Sequence, residues 1–463
     1  MIQLDQKIEA NEVKLLANCT VGIGFSYTSF QAGLESKPDL VGCDAGSSDG
    51  GPFLLGSRRS KGGLTIERDL EIMVEGALRK EVPLVIGSCG GTGANAGVEK
   101  YLALVAAILS RVDKHATVAT ICAEVPQSLV ISKLHEQKIA PIGAWPMLRE
   151  EDVQNSSAIV AMMGVEPIVS ALKMGANIVL AGRCCDPAIF ACVPLMSGIP
   201  PGIAWHAAKS IDKGYLATTD PTKGSSIMAY VNRDGFILEP MKEDVACTVA
   251  TVARQTMHEN PNPFAIIEPG GTIDTQSAVY EQLDPRRVLV SGSEFLAADP
   301  YTLKLEGASQ IGYRSIVIAG IRDPRTLGDL RRFLSELRVL VDRAARSMKV
   351  IPDQYSLNLR VYGRDAVLGE LEPEPELIPK EVALIIDVVA ADEDTATALA
   401  SRASTSGNRL DLFGGLEGGG NFAYPFSPRV IELGPVFRWS VWHTMTIDPS
   451  ELPEIFPIEL HRL

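Results

Sequence analysis

The sequence predicts an α/β protein, a mostly parallel sheet with flanking helices over residues 1–349 followed by a small α+β unit over 350–463. Three observations point there. Strand-like apolar runs end in Gly-rich or polar loops and several lead into helix-period segments, the alternation of a parallel sheet covered by helices. Charged residues make up 22% and hydrophobic residues 46%, the balance of a folded globular chain rather than a disordered or fibrous one. A length of 463 residues holds more than one domain at roughly 100–200 residues each.

The first third carries the clearest units. Residues 39–44 read as a strand entering the polar loop 45–52, and 65–80 as an amphipathic helix with Ile66, Leu70, Met73, Val74 and Ala77 at helical spacing. A second strand, 83–87, leads through the loop 88–95 into a helix at 98–112. The third strand, 117–122, ends at Glu124; the fourth, 177–181, ends in Gly182-Arg-Cys-Cys-Asp186 before a helical stretch. Residues 200–330 are rich in Pro and Gly and read as the same body with longer excursions. A helix over 327–347 closes it. Strands at 354–362, 381–389 and 437–447 with a helix at 392–403 then suggest an α+β sandwich, with 370–379 a Pro/Glu-rich loop exposed to water.

Charge and cysteine usage exclude several classes. With 43 Lys+Arg against 57 Asp+Glu the net charge is −14, which disfavours nucleic acid and anionic membranes as partners and suits a small-molecule enzyme. The eight cysteines lack the spacing of a disulfide scaffold, and no Cys-x-x-Cys or His-x-x-x-His pair suggests zinc. Asp5, Glu9 and Glu12 stand where a signal peptide needs a basic start and an apolar core, so a cytoplasmic protein is expected. The longest apolar stretch, around 102–109, is well short of the roughly 20 residues that span a bilayer.

In an open parallel sheet ligands bind outside the carboxyl ends of the strands, where loops converge and helix N-termini point. Asp44, Ser47, Ser48, Asp49, the 88–95 loop, Glu124, Arg183 and Asp186 all follow such ends and are candidates for one crevice. Carboxylates beside an arginine can hold a carboxylate substrate in the guanidinium fork and move a proton with a retuned Asp. In the loop, Gly90, Gly91 and Gly93 let the backbone approach an anion, while Ser88, Thr92 and Asn95 add side-chain hydrogen bonds. It is neither a Walker loop nor a dinucleotide fingerprint, and a plain strand-to-helix turn stays open. Mg²⁺ on Asp44, Asp49 or Asp186 is a further option, against N-caps and surface turns. Glu268 to Thr275 and Ser291 to Glu294 either line the crevice or make turns, and the glycine- and aromatic-rich 414–429 segment either locks against another subunit or covers the site.

These motifs together resemble the acyclic terpene utilisation AtuA family. The likeness runs through Gly-Cys-Asp44-Ala-Gly-Ser, the 87–97 loop, Ala181-Gly-Arg183-Cys-Cys-Asp186-Pro-Ala, Glu268-Pro-Gly-Gly and Val290-Ser-Gly-Ser, and then Val361-Tyr-Gly-Arg-Asp365, Asn421-Phe-Ala-Tyr-Pro-Phe-Ser-Pro428 and Ser440-Val-Trp-His443. The resemblance implies a C-terminal ferredoxin-like domain, catabolism of branched or terpenoid carboxylic acids or their CoA thioesters, and a small partner subunit in some members. It carries over no catalytic residues. Two readings follow: a lyase (hydratase) or isomerase using Asp44, Arg183 and Asp186 on a carboxylate or acyl-CoA, and a noncatalytic acyl-CoA or organic-acid binding subunit of a larger complex. The aromatic segment Phe422 to Phe426, beside Phe437, Trp439 and Trp442, calls for cover by another domain or subunit, and a homo-oligomer is expected.

Overall fold

The computed structural model describes residues 12–46, 50–414 and 420–463, so Ser47, Ser48 and Asp49 lie outside the described residues. The chain forms two compact units. One holds the residues up to Ser309 and returns from Trp439 to Leu463; the other holds Gln310–Arg438.

In the first unit, β1 (Val13–Ala17), β2 (Leu40–Asp44), β3 (Leu84–Gly87) and β4 (Thr117–Ile121) follow the expected alternation with helices. Two short strands come next, β5 (Ile139–Pro141) and β6 (Ala158–Ala161), before β7 (Ile178–Ala181) enters between β3 and β4. The run β1-β2-β3-β7-β4 is parallel throughout. Successive strand residues face opposite sides, so each strand feeds two cores. Leu16, Val41, Cys43, Leu84, Ile86 and Leu180 pack under the helices Tyr27–Glu35, Leu64–Lys80 and Asn95–Arg111, with Phe30, Met73 and Tyr101 from those helices. Leu15, Leu40, Val85, Ala119 and Val179 face Ile168, Phe190 and Trp205 on the helices Val165–Lys173, Ala188–Met196 and Pro201–Ile211. Gly42 is required in β2, because a Cβ there would enter the Phe190 ring.

The stretch expected to continue the body is mostly antiparallel. β8 (Ile227–Val231) and β9 (Gly235–Pro240) extend the large sheet beyond β1. β10 (Ala265–Glu268) and β11 (Gly271–Asp274) start a small separate sheet. β12 (Val279–Gln282) and β13 (Val288–Ser291) finish the large sheet beside β9, and β14 (Glu294–Ala297) joins β11.

β15 (Thr302–Ile321) belongs to both units: Leu305 to Ala308 pair with β6, while Tyr313 to Ile321 pair with β17. The second unit then runs through the helix Leu330–Ser347, β16 (Tyr355–Tyr362), β17 (Val382–Ala390), the helix Glu393–Arg409 and β18 (Val430–Thr446). With strand order β16-β17-β15-β18 this is the βαββαβ topology of a ferredoxin-like fold. β19 (Ile458–Arg462) pairs antiparallel with β4 in the first unit. The units therefore divide at 309/310 and 438/439 rather than at 349/350, because the second half of β15 and the helix Leu330–Ser347 pack with β16 and β17 in the ferredoxin-like unit. Phe422 also turns inward, edge-on to Phe333 in that unit's core, and the Asn421 amide donates to the carbonyls of Gly407 and Leu410. That half of the aromatic segment is internal. Phe426 stays exposed.

Candidate functional site

Asp44 closes β2 beside Gly87 of β3, Ser88 follows directly, and Arg183 comes two residues after β7, so all three stand at the carboxyl edge of neighbouring strands. The turn there is tight. Ser88 takes φ +48°, its N–H donates to Gly182 O at 3.0 Å, and the Arg183 N–H donates to Gly93 O at 3.0 Å. Gly93, at φ +67°, has the Arg183 backbone where a Cβ would sit. The glycine loop is thus built around Arg183.

Arg183 is buried and fully engaged. Its Nε and Nη2 donate to Glu306 Oε2 and Oε1 at 3.0 and 3.2 Å, and Nη1 donates to Cys184 O at 3.1 Å and to Ser88 Oγ at 3.3 Å. Asp186 lies 4.0 Å from Nη1. Lys304 adds a second cation, its Nζ 2.7 Å from Glu306. Burial opposes the Glu306 charge, but Arg183 and Lys304 outweigh it and bring its pKa down to about 2. Arg183 likewise stays charged despite its burial, held by Glu306 first and then by Asp186 and Asp44. The fork expected to grip a ligand carboxylate therefore holds one of the protein's own.

The carboxyls on the other side behave differently. Asp44 is pushed well above the usual carboxylate range, by burial first and then by the charge of Asp186. Its Oδ2 accepts the Gly46 N–H at 3.0 Å, and Oδ1 is buried with no hydrogen-bond partner among the described residues. Asp186 is raised to about 6, burial outweighing the pull of Arg183 and Lys213, whose Nζ is 3.8 Å away. Its side chain keeps a 14% exposed edge. Glu268 is raised to about 7 by burial and accepts a hydrogen bond from Cys185 Sγ at 2.6 Å. Lys209, paired with Asp212 at 3.2 Å, faces this group.

Elsewhere the expected anion position is already filled. Asn95 begins the helix Asn95–Arg111, its N–H donates to Glu124 Oε1 at 2.9 Å, and its Oδ1 accepts from the Ala123 and Glu124 N–H groups at 3.4 Å. The Glu124 carboxylate thus occupies the positive end of the helix. Thr92 is buried in the loop, and a Cβ on Gly90 or Gly91 would meet Gly97 and Ser60, or the Lys61 stem. Of the two turn clusters, Glu268 reaches the site, while Asp274 caps a turn through the Gln276 N–H. Ser293 bonds the buried His206 Nδ1 at 2.5 Å. The cysteines are free, and burial raises the Cys43, Cys89, Cys184 and Cys185 thiols well above their usual value. Among the described residues, no group of three His, Cys, Asp or Glu side chains is placed to hold a metal ion.

Sequence reasoning missed Glu306, Lys209, Asp212 and Lys213. The Lys209/Asp212/Lys213 spacing puts three charges on one side of a helix end next to apolar residues, a pattern that calls for a polar neighbour. Glu306 had no such signal.

A family model described as acyclic terpene utilisation family protein AtuA matches residues 63–197 and 220–435. The chain belongs to the AtuA family. The matched segments contain the glycine loop, Arg183, Asp186, Glu268 and Glu306, while Asp44, Lys209 and Lys213 fall outside them. AtuA membership implies a role in acyclic terpene utilisation. No curated protein and no solved structure matches the chain. Among the described residues of this AtuA-family protein, no helix is long and apolar enough to cross a membrane.

Proposed function

We propose that this protein is an acid–base enzyme of acyclic terpenoid catabolism, a lyase of the hydratase type or an isomerase, acting on a branched carboxylic acid or its CoA thioester. The observation that carries this reading is Asp186: a carboxyl with a pKa of about 6 that keeps an exposed edge beside the buried Asp44, whose own pKa burial raises well above the usual carboxylate range. A group poised near the working pH serves as base and as acid in one cycle. In an isomerase Asp186 removes the proton from the carbon next to the substrate carbonyl and returns it two carbons further along; in a hydratase Asp186 draws a proton from water, whose oxygen adds to the β-carbon of the unsaturated acyl group while the α-carbon is protonated. Asp44 Oδ1, buried and without a hydrogen-bond partner among the described residues, stands as the proton donor of the pair. Arg183, committed to Glu306, is a positioning residue that holds Ser88 and the glycine loop against Asp186. The free cysteines suit a reducing cytoplasm.

The test is deuterium wash-in. Acyclic terpenoid acids and their CoA thioesters are incubated with the protein in D2O, with and without Mg²⁺, and followed by mass spectrometry. Exchange at the carbon next to the carbonyl, reduced about 10²–10⁴-fold in Asp186→Asn, supports the reading. A thermal shift with a thioester but no exchange assigns the protein to the noncatalytic binding class instead.

A further inference from the structure

The loop between β16 and β17 combines two properties that rarely coexist in a free surface loop. Val367 is 82% exposed, Leu371 81%, Leu377 65% and Ile378 63%, with Leu368 also exposed. Single exposed apolar residues are ordinary, but five along one short excursion mark a contact surface. Among them stand Glu370, Glu372, Glu374 and Glu376, none of them in an ion pair among the described residues.

The same unit carries the complementary face. The helix Leu330–Ser347 buries Phe333, Leu337 and Val341 and turns Arg331, Arg332, Arg343 and Arg346 to solvent with Lys349 just beyond it; Arg338 is exposed but donates to Leu357 O at 2.9 Å, and against these cations the helix carries Glu336 and Asp342. None of these six cations is ion-paired among the described residues, although the chain as a whole is acidic at −14. Val339, Met348 and Ile351 are exposed between and beyond them. An acidic, apolar loop thus answers a basic, apolar helix face.

We propose that the 363–381 loop of one chain docks on the Leu330–Ser347 helix of a second copy, and the reverse, as a twofold dimer. Within one chain the loop leaves its apolar side chains in water, so its own helix does not satisfy it. Reciprocal docking uses the same two patches twice and closes on itself, where one-way docking would propagate a filament. Two loops and two helix faces supply the roughly 20–30 residues a side of a standard interface. The apolar residues provide the driving force, and the opposed charges set orientation and speed encounter.

Sedimentation equilibrium on the full chain tests this. Wild type should run at twice 49.7 kDa, with a dissociation constant that rises about tenfold or more between low and high salt. Val367→Asp with Leu371→Asp should give a folded monomer that melts as wild type does when diluted below its dissociation constant, since both side chains are exposed within one chain. Charge reversal of Glu370, Glu372 and Glu374 to Lys should also give a monomer, as should Arg331, Arg343 and Arg346 to Glu. Both reversals in one chain should restore the dimer. A wild-type monomer across the concentration range, a dimer that survives either reversal, or no recovery in the combined variant would overturn the proposal.

Discussion

Arg183 and Glu306 meet in a buried two-point ion pair, Nε to Oε2 at 3.0 Å and Nη2 to Oε1 at 3.2 Å. Removing one partner leaves an uncompensated charge in the interior, which costs about 3–5 kcal/mol. Arg183→Ala is therefore expected to lower stability in urea by that amount, and activity with it. Replacing both, as Arg183→Met with Glu306→Gln, is expected to lose clearly less. Chemical denaturation of the two variants beside wild type checks the order.

Because Glu306 has its pKa depressed to about 2 in the folded state, the pair's stabilisation is present above the ordinary glutamate value of 4.5 and lost as pH falls from there towards 2. Glu306→Gln should remove that part of the acid dependence. Stability curves between pH 3 and 7 show it.

Glu268 and Asp186 titrate in the opposite sense. Their folded pKa values, about 7 and about 6, lie above the unfolded ones, so their contribution is complete at low pH and is lost as pH rises through 6 and 7. Glu268→Gln should be more stable than wild type at pH 8, by up to roughly 3 kcal/mol, and show no gain near pH 4. Melting at the two pH values is the measurement.

Gly93→Ala is expected to cost more than Gly91→Ala. A Cβ at 93 meets the Arg183 backbone, which is held by the sheet, whereas one at 91 meets the flexible stem of Lys61. Backbone strain works the other way, since φ is +67° at 93 and +104° at 91, so the clash with the Arg183 backbone has to outweigh it. Denaturation of the two variants measures the difference.

His206 is expected to stay neutral in the native protein down to about pH 4, because burial takes its pKa to about 3 and, among the described residues, its ring nitrogens meet the hydroxyls of Ser293, Thr256 and Tyr280. A depressed histidine favours the native state above its unfolded value of 6.5, and that advantage fades as pH falls towards 3. Nitrogen chemical shifts of the ring, followed by NMR, report its charge.

The parallel core was legible because each strand there is a short apolar run with a Gly-rich or polar stop, and β2, β3, β4 and β7 fall within a residue of their expected places. Boundaries moved where a side chain from elsewhere sets them: the helix expected at 98 begins at Asn95, whose N–H is met by Glu124. β18 was seen only from 437 because Gly434-Pro435 interrupts its first half. The clustering of Asp44, Arg183 and Asp186 followed from their strand ends. The partner of Arg183 did not, since Glu306 reaches it from β15, 123 residues along the chain.

The pairing of β19 with β4 sets an order of assembly during synthesis. β4 is an edge strand of the parallel run, and the strand that covers it is made only after the whole ferredoxin-like unit, between Ile121 and Ile458. At about 5–20 residues per second the ribosome leaves that edge unpaired for on the order of half a minute. A row of open N–H and C=O groups is a template for pairing with another nascent chain. The growing protein is thus most prone to aggregate after its first core has formed, and loss of β19 would make that exposure permanent.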